Sequence, residues 1–337
     1  MKIKSYAATE KGASLEEHEL ELGDLANTHV EIKVETCGLC HSDLSMIDNE
    51  WGESKFPIVP GHEIIGTVTA VGDHVTALEP GTRVGLGWYS ASCMVCDACM
   101  AGDHNLCPEA QGTIMGRPGG FAETVRCHWA WATKIPDSLD AKDAGPLFCG
   151  GITVFNPIIQ AGVRPTDRVG VVGIGGLGHL ALQFLNKWGC EVTAFSSHPE
   201  KSDELRSLGA HEVVNSREES ELEAVAGKYD FILSTVAVDL EWEKYIAALS
   251  PKGRLHTVGI IPKPVSLSAF PLIIAQKSFG GSPLGSPSTT RTMIDFCTRH
   301  AISPMTEHFK MSDVNEAIDH LRAGDARYRV VLDADFD

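Results

Sequence analysis

The stretch from Arg168 to Ala181, RVGVVGIGGLGHLA, limits the fold more than any other part of this chain. The β-branched run Arg168–Val172 reads as a buried strand, and Leu177–Trp188 carries the apolar spacing of an amphipathic helix. Between them Gly173, Gly175, Gly176 and Gly178 make a GxGxxG turn, which Leu177 carries into the helix. Gly173 permits the tight turn, Gly175 lets a pyrophosphate approach the main chain, and Gly178 lets helix and strand pack closely. Free N–H groups and the positive end of the helix then face the phosphates. Glycines in a turn commonly serve only the turn. The flanking strand and helix make dinucleotide binding the better reading.

From about Phe148 this unit belongs to a longer alternation. Strand-like runs at Glu191–Phe195, Phe231–Leu233 and Arg254–Gly259 alternate with helical stretches such as Pro199–Leu208. Such a pattern predicts a parallel sheet covered by helices, the doubly wound Rossmann arrangement. The chain up to about Pro146 reads differently. Val30–Val34 and Ile64–Val71 are short alternating runs between glycine and proline breaks, as expected of antiparallel strands in a barrel-like β body. Near the C-terminus an amphipathic helix, Met311–Ala323, and a strand-like Tyr328–Leu332 fit either half.

The end of the second strand of the alternation selects the cofactor. NAD-binding folds place an acid there, about twenty residues beyond the glycines, to hold the ribose 2′-hydroxyl. This chain has Ser196 and Ser197, with Lys201 one helical turn further on. Hydroxyls and an ammonium suit a 2′-phosphate, so NADP(H) is expected. The serines also suit a helix cap, and the two roles are compatible. Glu200 is the nearby acid that would admit NAD if it turned toward the ribose.

Two sets of residues point to metal. Cys93, Cys96, Cys99 and Cys107 follow a C-x2-C-x2-C-x7-C spacing, enough to close a tetrahedral zinc site within one short lobe. A closed site has no position for substrate, so it would staple the loop. Cys40, His62 and Cys149 are dispersed. They have the composition of a catalytic zinc site, but spacing alone does not join them, and each taken singly reads as a core or turn residue.

The formal charge is −17, from 45 acidic against 28 basic residues, which opposes binding to nucleic acid or anionic membranes. The longest apolar runs, such as Val169–Ile174 and Phe270–Ala275, are too short to cross a bilayer, and the N-terminus lacks the apolar core of a signal peptide. A cytoplasmic protein with its ten cysteines reduced is expected.

TCGLCHSDL (36–44), GHEIIGTVTAVG (61–72), the four-cysteine lobe, PLFCGGIT (146–153) and the glycine turn together resemble the zinc-containing medium-chain dehydrogenase/reductases. The likeness runs in order from about residue 5 to residue 333. It includes Asp230–Ala237, Val258–Pro262 and a terminal YRVVLD, and leans toward the cinnamyl-alcohol-dehydrogenase-like branch with its bacterial aldehyde reductases. The resemblance implies a GroES-like catalytic domain over 1–147 and 288–337, with a Rossmann domain over 148–287 inserted. It implies two zinc ions per chain, the catalytic one on Cys40, His62 and Cys149, with Glu63 as an occasional ligand. Asp43 would orient His62, and Ser42 would relay a proton.

By position in that family, cofactor contacts extend to Thr153, Thr235, Val236, Val258, Gly259, Ile260, Ser282, Leu284 and Arg329. Trp51, Trp88, Met115 and Leu284 would line the substrate pocket, where the two domains meet; Phe56 and Phe121 fit a wall or plain core equally. Ser278–Leu284 resembles an edge strand that pairs two chains into a homodimer. The implied activity is hydride transfer between nicotinamide and a primary alcohol or aldehyde, aromatic or medium aliphatic. An NAD-linked polyol or secondary-alcohol dehydrogenase of the same fold is the alternative. Retention of Cys40, His62 and Cys149 speaks against a non-catalytic NADPH binder. Two departures from the family pattern stand out: Ser45 replaces the relay histidine, and the Glu109–Gly120 segment is shorter than in plant members.

Overall fold

The apolar runs of the second half form a six-stranded parallel sheet in the computed structural model, which describes residues 1–336. Its strands are Arg168–Val172, Glu191–Ser196, Glu212–Asn215, Tyr229–Ser234, Leu249–Thr257 and Ser278–Gly281. Counted along the chain, their spatial order is 3-2-1-4-5-6. Val169, Val171, Val192, Ala194, Ile232 and Leu233 are fully buried, as expected where helices cover both faces. One cover is the helix Gly178–Trp188, whose Phe184 meets Phe155 of the helix Gly150–Gln160 edge to face at 5.2 Å. Elsewhere in this unit Phe195 packs on Tyr229 and Tyr245 at 5.4 and 5.6 Å.

The first strand pairs with the second on one side and the fourth on the other, so the chain reverses its direction of winding there. The glycine turn leaves the sheet at that switch point, where such sheets take their ligands. Its glycines answer to different constraints. Gly173 has φ +86°, closed to most side chains, and a Cβ on Gly178 would overlap the Gly173 carbonyl. A Cβ on Gly175 would meet no protein atom within 4 Å.

In the other unit the organising element is the 11-residue strand His29–Leu39. It pairs antiparallel with Ile64–Val71, Thr124–His128 and Arg329–Asp333, within a seven-stranded sheet. The C-terminal segment, which fits either half by pattern, therefore belongs here. Val330 pairs with Leu39 and Asp333 with Thr36, and Val330, Val331 and Leu332 are fully buried. The helix Val314–Ala323 adds Ile318 and Leu321 to the same core.

The units divide after Cys149 and after Leu284, two residues later and three earlier than the sequence boundaries. Gly150 opens a helix of the sheet unit, whereas Ser286 caps the helix Pro287–His300 of the other, accepting the Thr289 N–H at 3.3 Å.

Gly178→Ala is expected to cost about 1–3 kcal/mol of stability by forcing helix and turn apart. Gly175→Ala should fold like the wild type and lose only dinucleotide affinity. Thermal melting with NADPH titration separates the two, and an unchanged melting temperature for Gly178→Ala would contradict this packing argument.

Candidate metal and cofactor sites

Strand register assembles the dispersed set. Cys37 sits opposite Ile64, and the Gly38 N–H donates to the Glu63 carbonyl at 2.9 Å. Cys40, just past one strand, thus comes beside His62 and Glu63, just before the other. Cys149 arrives at the end of the 3-10 turn Gly145–Phe148. All four are buried, and their ligand-capable atoms lie within 4.8 Å of one another. His62 Nε2 is 3.3 Å from Cys149 Sγ.

Asp43, in the first turn of the helix His41–Ile47, holds this group in place. Its carboxylate accepts the Cys40 N–H at 3.0 Å, the Gly61 N–H at 2.9 Å and His62 Nδ1–H at 2.9 Å. Because Asp43 accepts from Nδ1, the other ring nitrogen, Nε2, is turned toward the sulfurs, where a bound cation would take the place of its proton. Burial opposes the imidazolium, but Asp43 and Cys40 outweigh it and raise the His62 pKa well above its ordinary value. Cys40 is held well below the usual thiol range, chiefly by the hydrogen bond from Cys149, and the same bond pushes Cys149 well up. The two sulfurs thus share a proton where a divalent cation would bind both as thiolates.

Glu63 is fully buried, and burial lifts its carboxyl to about 7 against the pull of Arg329. The Arg329 guanidinium, itself buried, donates to Glu63 Oε1. Glu63 Oε2 has no hydrogen-bond partner, an orphan acceptor in a cluster of metal ligands. Two thiols, an imidazole and a carboxylate form a donor set that zinc accepts, and a cation there would satisfy the orphan oxygen. Gly38 is required beside it, because a Cβ at that position would overlap the Glu63 carboxylate. Sequence reasoning missed this glycine and the pairing of Arg329, since neither shows without the register. Cys37 stays out of the cluster; it lies against Gly61 and Gly120, and burial pushes its thiol up.

Trp88 stands edge-on to His62 with ring centroids 4.9 Å apart, and Trp51 packs edge-on to Trp88 at 5.8 Å. These two give the cluster an apolar wall. Met115 is 38% exposed and lies against Gly112. Phe121 is fully buried core, and Phe56 packs on the same core partly buried. Ser42 is half-buried on the helix that follows Cys40, while Ser45 donates to Glu50 Oε2 at 2.6 Å.

In the four-cysteine lobe the ligand atoms of Cys93, Cys96, Cys99 and Cys107 likewise lie within 4.8 Å of one another. Cys93 and Cys99 sulfurs are 4.0 Å apart. That is close to the roughly 3.8 Å edge of a tetrahedron with Zn–S bonds of about 2.3 Å, and about twice a disulfide bond. Backbone N–H groups of Cys96 and Glu109 donate to Cys93 and Cys107 at 3.3 and 3.4 Å. Those of Val95 and Cys96 bring the Cys93 thiol down to about 7, whereas burial raises Cys99 to about 11.

In the sheet unit most cofactor candidates follow the C-terminal ends of the parallel strands. Thr235 and Val236 flank Gly173, with Thr235 Oγ1 donating to its carbonyl at 2.7 Å. The Val258 N–H donates to the Ser234 carbonyl at 3.0 Å, a Cβ on Gly259 would meet the Val236 carbonyl, and Ile260 is exposed. Ser282 shares a 2.9 Å hydrogen bond with His256 Nε2, and Asn156 Nδ2 donates to the Leu284 carbonyl at 2.7 Å. Thr153 is half-buried on the helix Gly150–Gln160. Ser196 accepts the His198 N–H at 3.1 Å, Ser197 is half-buried and Lys201 exposed. Arg329 is the exception: it lies in the other unit as the counter-charge of Glu63, because a buried carboxylate demands one.

Residues 26–137 match the alcohol dehydrogenase GroES-like domain, and 176–299 match the zinc-binding dehydrogenase domain. Aldehyde reductase AdhA of Synechocystis sp. is 51% identical over 98% of both chains. Among solved structures, cinnamyl alcohol dehydrogenase SbCAD4 of Sorghum bicolor aligns with a TM-score of 0.94 at 35% identity, covering 99% of this chain and 98% of that one. The cinnamyl alcohol dehydrogenase of Helicobacter pylori, complexed with NADP(H), aligns at 0.91 and 27% identity over 99% and 98%. A GroES-like unit bearing a buried thiol–imidazole cluster and a Rossmann unit in the same chain together define a zinc-binding dehydrogenase. The chain belongs to the zinc-containing medium-chain dehydrogenase/reductases, in their cinnamyl-alcohol-dehydrogenase-like branch.

Arg329→Met is expected to destabilise the protein by about 3–5 kcal/mol by stranding a buried carboxylate. Adding Glu63→Gln should recover part of that loss. Urea denaturation of the two single variants and the double variant measures the coupling, and strictly additive losses would contradict it.

Proposed function

We propose that the protein is an NADP(H)-dependent alcohol dehydrogenase/aldehyde reductase for aromatic or medium aliphatic primary alcohols and aldehydes. The observation that carries this reading is the convergence of Cys40, His62 and Cys149 on one buried point. When bound there, zinc supplies a Lewis acid for the substrate oxygen, and the nicotinamide gives or takes the hydride.

The chain's own groups do the rest. Cys40 Sγ, Cys149 Sγ and His62 Nε2 hold the metal as three protein ligands, the count of a catalytic rather than a structural zinc site. Asp43 fixes the imidazole, and Glu63 Oε2 offers a further donor while Arg329 restrains the other oxygen. Trp88 and Trp51, with Met115 as a further candidate, exclude water and favour an apolar substrate body. Ser42 Oγ passes the hydroxyl proton, taking it during oxidation and returning it during reduction. Ser45 cannot store a proton near neutrality as an imidazole can, so water or a cofactor ribose hydroxyl completes the route.

Ser196, Ser197 and Lys201 favour the 2′-phosphate of NADP(H). Cys93, Cys96, Cys99 and Cys107 hold a second, structural zinc. The edge strand Ser278–Gly281 has one sheet neighbour, and the preceding helix exposes Phe270, Ile273 and Ile274 at 69–73%. A free edge beside three exposed apolar side chains suits pairing with a second copy, giving a homodimer. Ten free thiols suit the reducing cytoplasm, and among the described residues no helix is long and apolar enough to cross a membrane.

Three measurements test the reading together. Metal analysis should find two zinc ions per chain, light scattering twice the 36.3 kDa chain mass, and a substrate panel faster turnover of aldehydes with NADPH than with NADH. A protein containing no zinc, or one that reduces no aldehyde with either cofactor, would overturn the proposal.

A further inference from the structure

The assignment of NADP(H) leaves an acid in an awkward place. Glu200 lies four residues beyond Ser196, at the ribose-selecting end of the second strand. A carboxylate free to reach the ribose would accept from the 2′- and 3′-hydroxyls of NAD and repel a 2′-phosphate. The fold does not remove this side chain by burial, since Glu200 is exposed.

Local geometry ties it down instead. His198 is the residue at which the chain leaves the strand: its N–H donates to Ser196 Oγ at 3.1 Å, and its carbonyl accepts the Lys201 N–H at 3.1 Å. The Ser196 carbonyl accepts the Ser216 N–H at 2.9 Å from the neighbouring third strand's end. The backbone from Ser196 to Lys201 is therefore held at both ends. From that held position His198 Nδ1 meets Glu200 Oε1 at 2.9 Å. A carboxylate oxygen only accepts, so Nδ1 carries the hydrogen and donates it. The imidazole makes no cap hydrogen bond for the following turn, so its side chain serves the carboxylate rather than the helix.

We infer that His198 is a positioning residue for cofactor choice: it parks Glu200 away from the ribose and so protects the 2′-phosphate preference supplied by Ser196, Ser197 and Lys201. The inference rests on the NADP(H) reading and deepens it. His198 contributes through the direction in which it turns an acid, and its effect on the two cofactors is of opposite sign. Loss of a merely structural residue would instead weaken both cofactors alike. Both side chains are more than half exposed, so the pair is weak and screened by salt.

The test is equilibrium binding of NADPH and of NADH to the zinc-loaded full-length protein, read by tryptophan fluorescence. His198→Ala is expected to lower the NADPH-over-NADH affinity ratio by about two- to fivefold, less in high salt. Glu200→Gln should raise the ratio, and the double variant His198→Ala/Glu200→Gln should recover the wild-type ratio or exceed it. A wild-type preference for NADPH with an unchanged ratio in His198→Ala would overturn the role of the pair alone. Equal weakening of both cofactors in His198→Ala, unrescued by Glu200→Gln, would assign His198 a structural role and overturn it likewise. A wild-type preference for NADH would overturn the cofactor assignment together with the inference.

Discussion

The fully buried carboxylate of Asp43 is the interaction on which the metal cluster depends. An ionised carboxylate out of water is tolerable only when its oxygens are filled, and here three donors fill them. Each donor belongs to a different part of the cluster: the Cys40 N–H at the strand end, the Gly61 N–H before the next strand, and the His62 ring. The same contacts that stabilise the charge therefore set where Cys40 stands and which nitrogen His62 turns toward the sulfurs. Glu63 follows the same rule with a different solution, a buried arginine brought from the C-terminal strand.

That solution links the site to the fold. Arg329 begins the strand whose Val330 pairs with Leu39, one residue before Cys40. Closing the sheet with the C-terminal segment and neutralising Glu63 are one event. In the other unit, strands that wind outward in both directions from Arg168–Val172 leave a glycine turn at the switch point and gather the cofactor candidates at one end of the sheet.

How much of this was legible in the sequence follows from how local each feature is. The change from alternating β runs to strand–helix alternation marked both halves, because periodicity is a short-range signal. Ile64–Val71 and Arg168–Val172 read directly, whereas the C-terminal strand did not declare its sheet, since its partner lies nearly the whole chain away. The four-cysteine lobe was legible from spacing alone because all its ligands share one loop. Cys40, His62 and Cys149 were not: strand register brings them together, and only the family resemblance joined them beforehand. The pairing of Arg329 with Glu63 was not legible, because nothing near it in sequence points to a residue 266 positions earlier. Phe121, which fitted pocket wall and core equally from sequence, is fully buried core.

The central claim is that Cys40, His62 and Cys149 share one zinc ion distinct from that of the four-cysteine lobe. Anomalous diffraction at the zinc edge from crystals of the purified protein tests it most directly. The account predicts two peaks per chain, one of them within about 2.0–2.3 Å of Cys40 Sγ, His62 Nε2 and Cys149 Sγ. A single peak confined to the lobe, with these three side chains metal-free and apart, would contradict it.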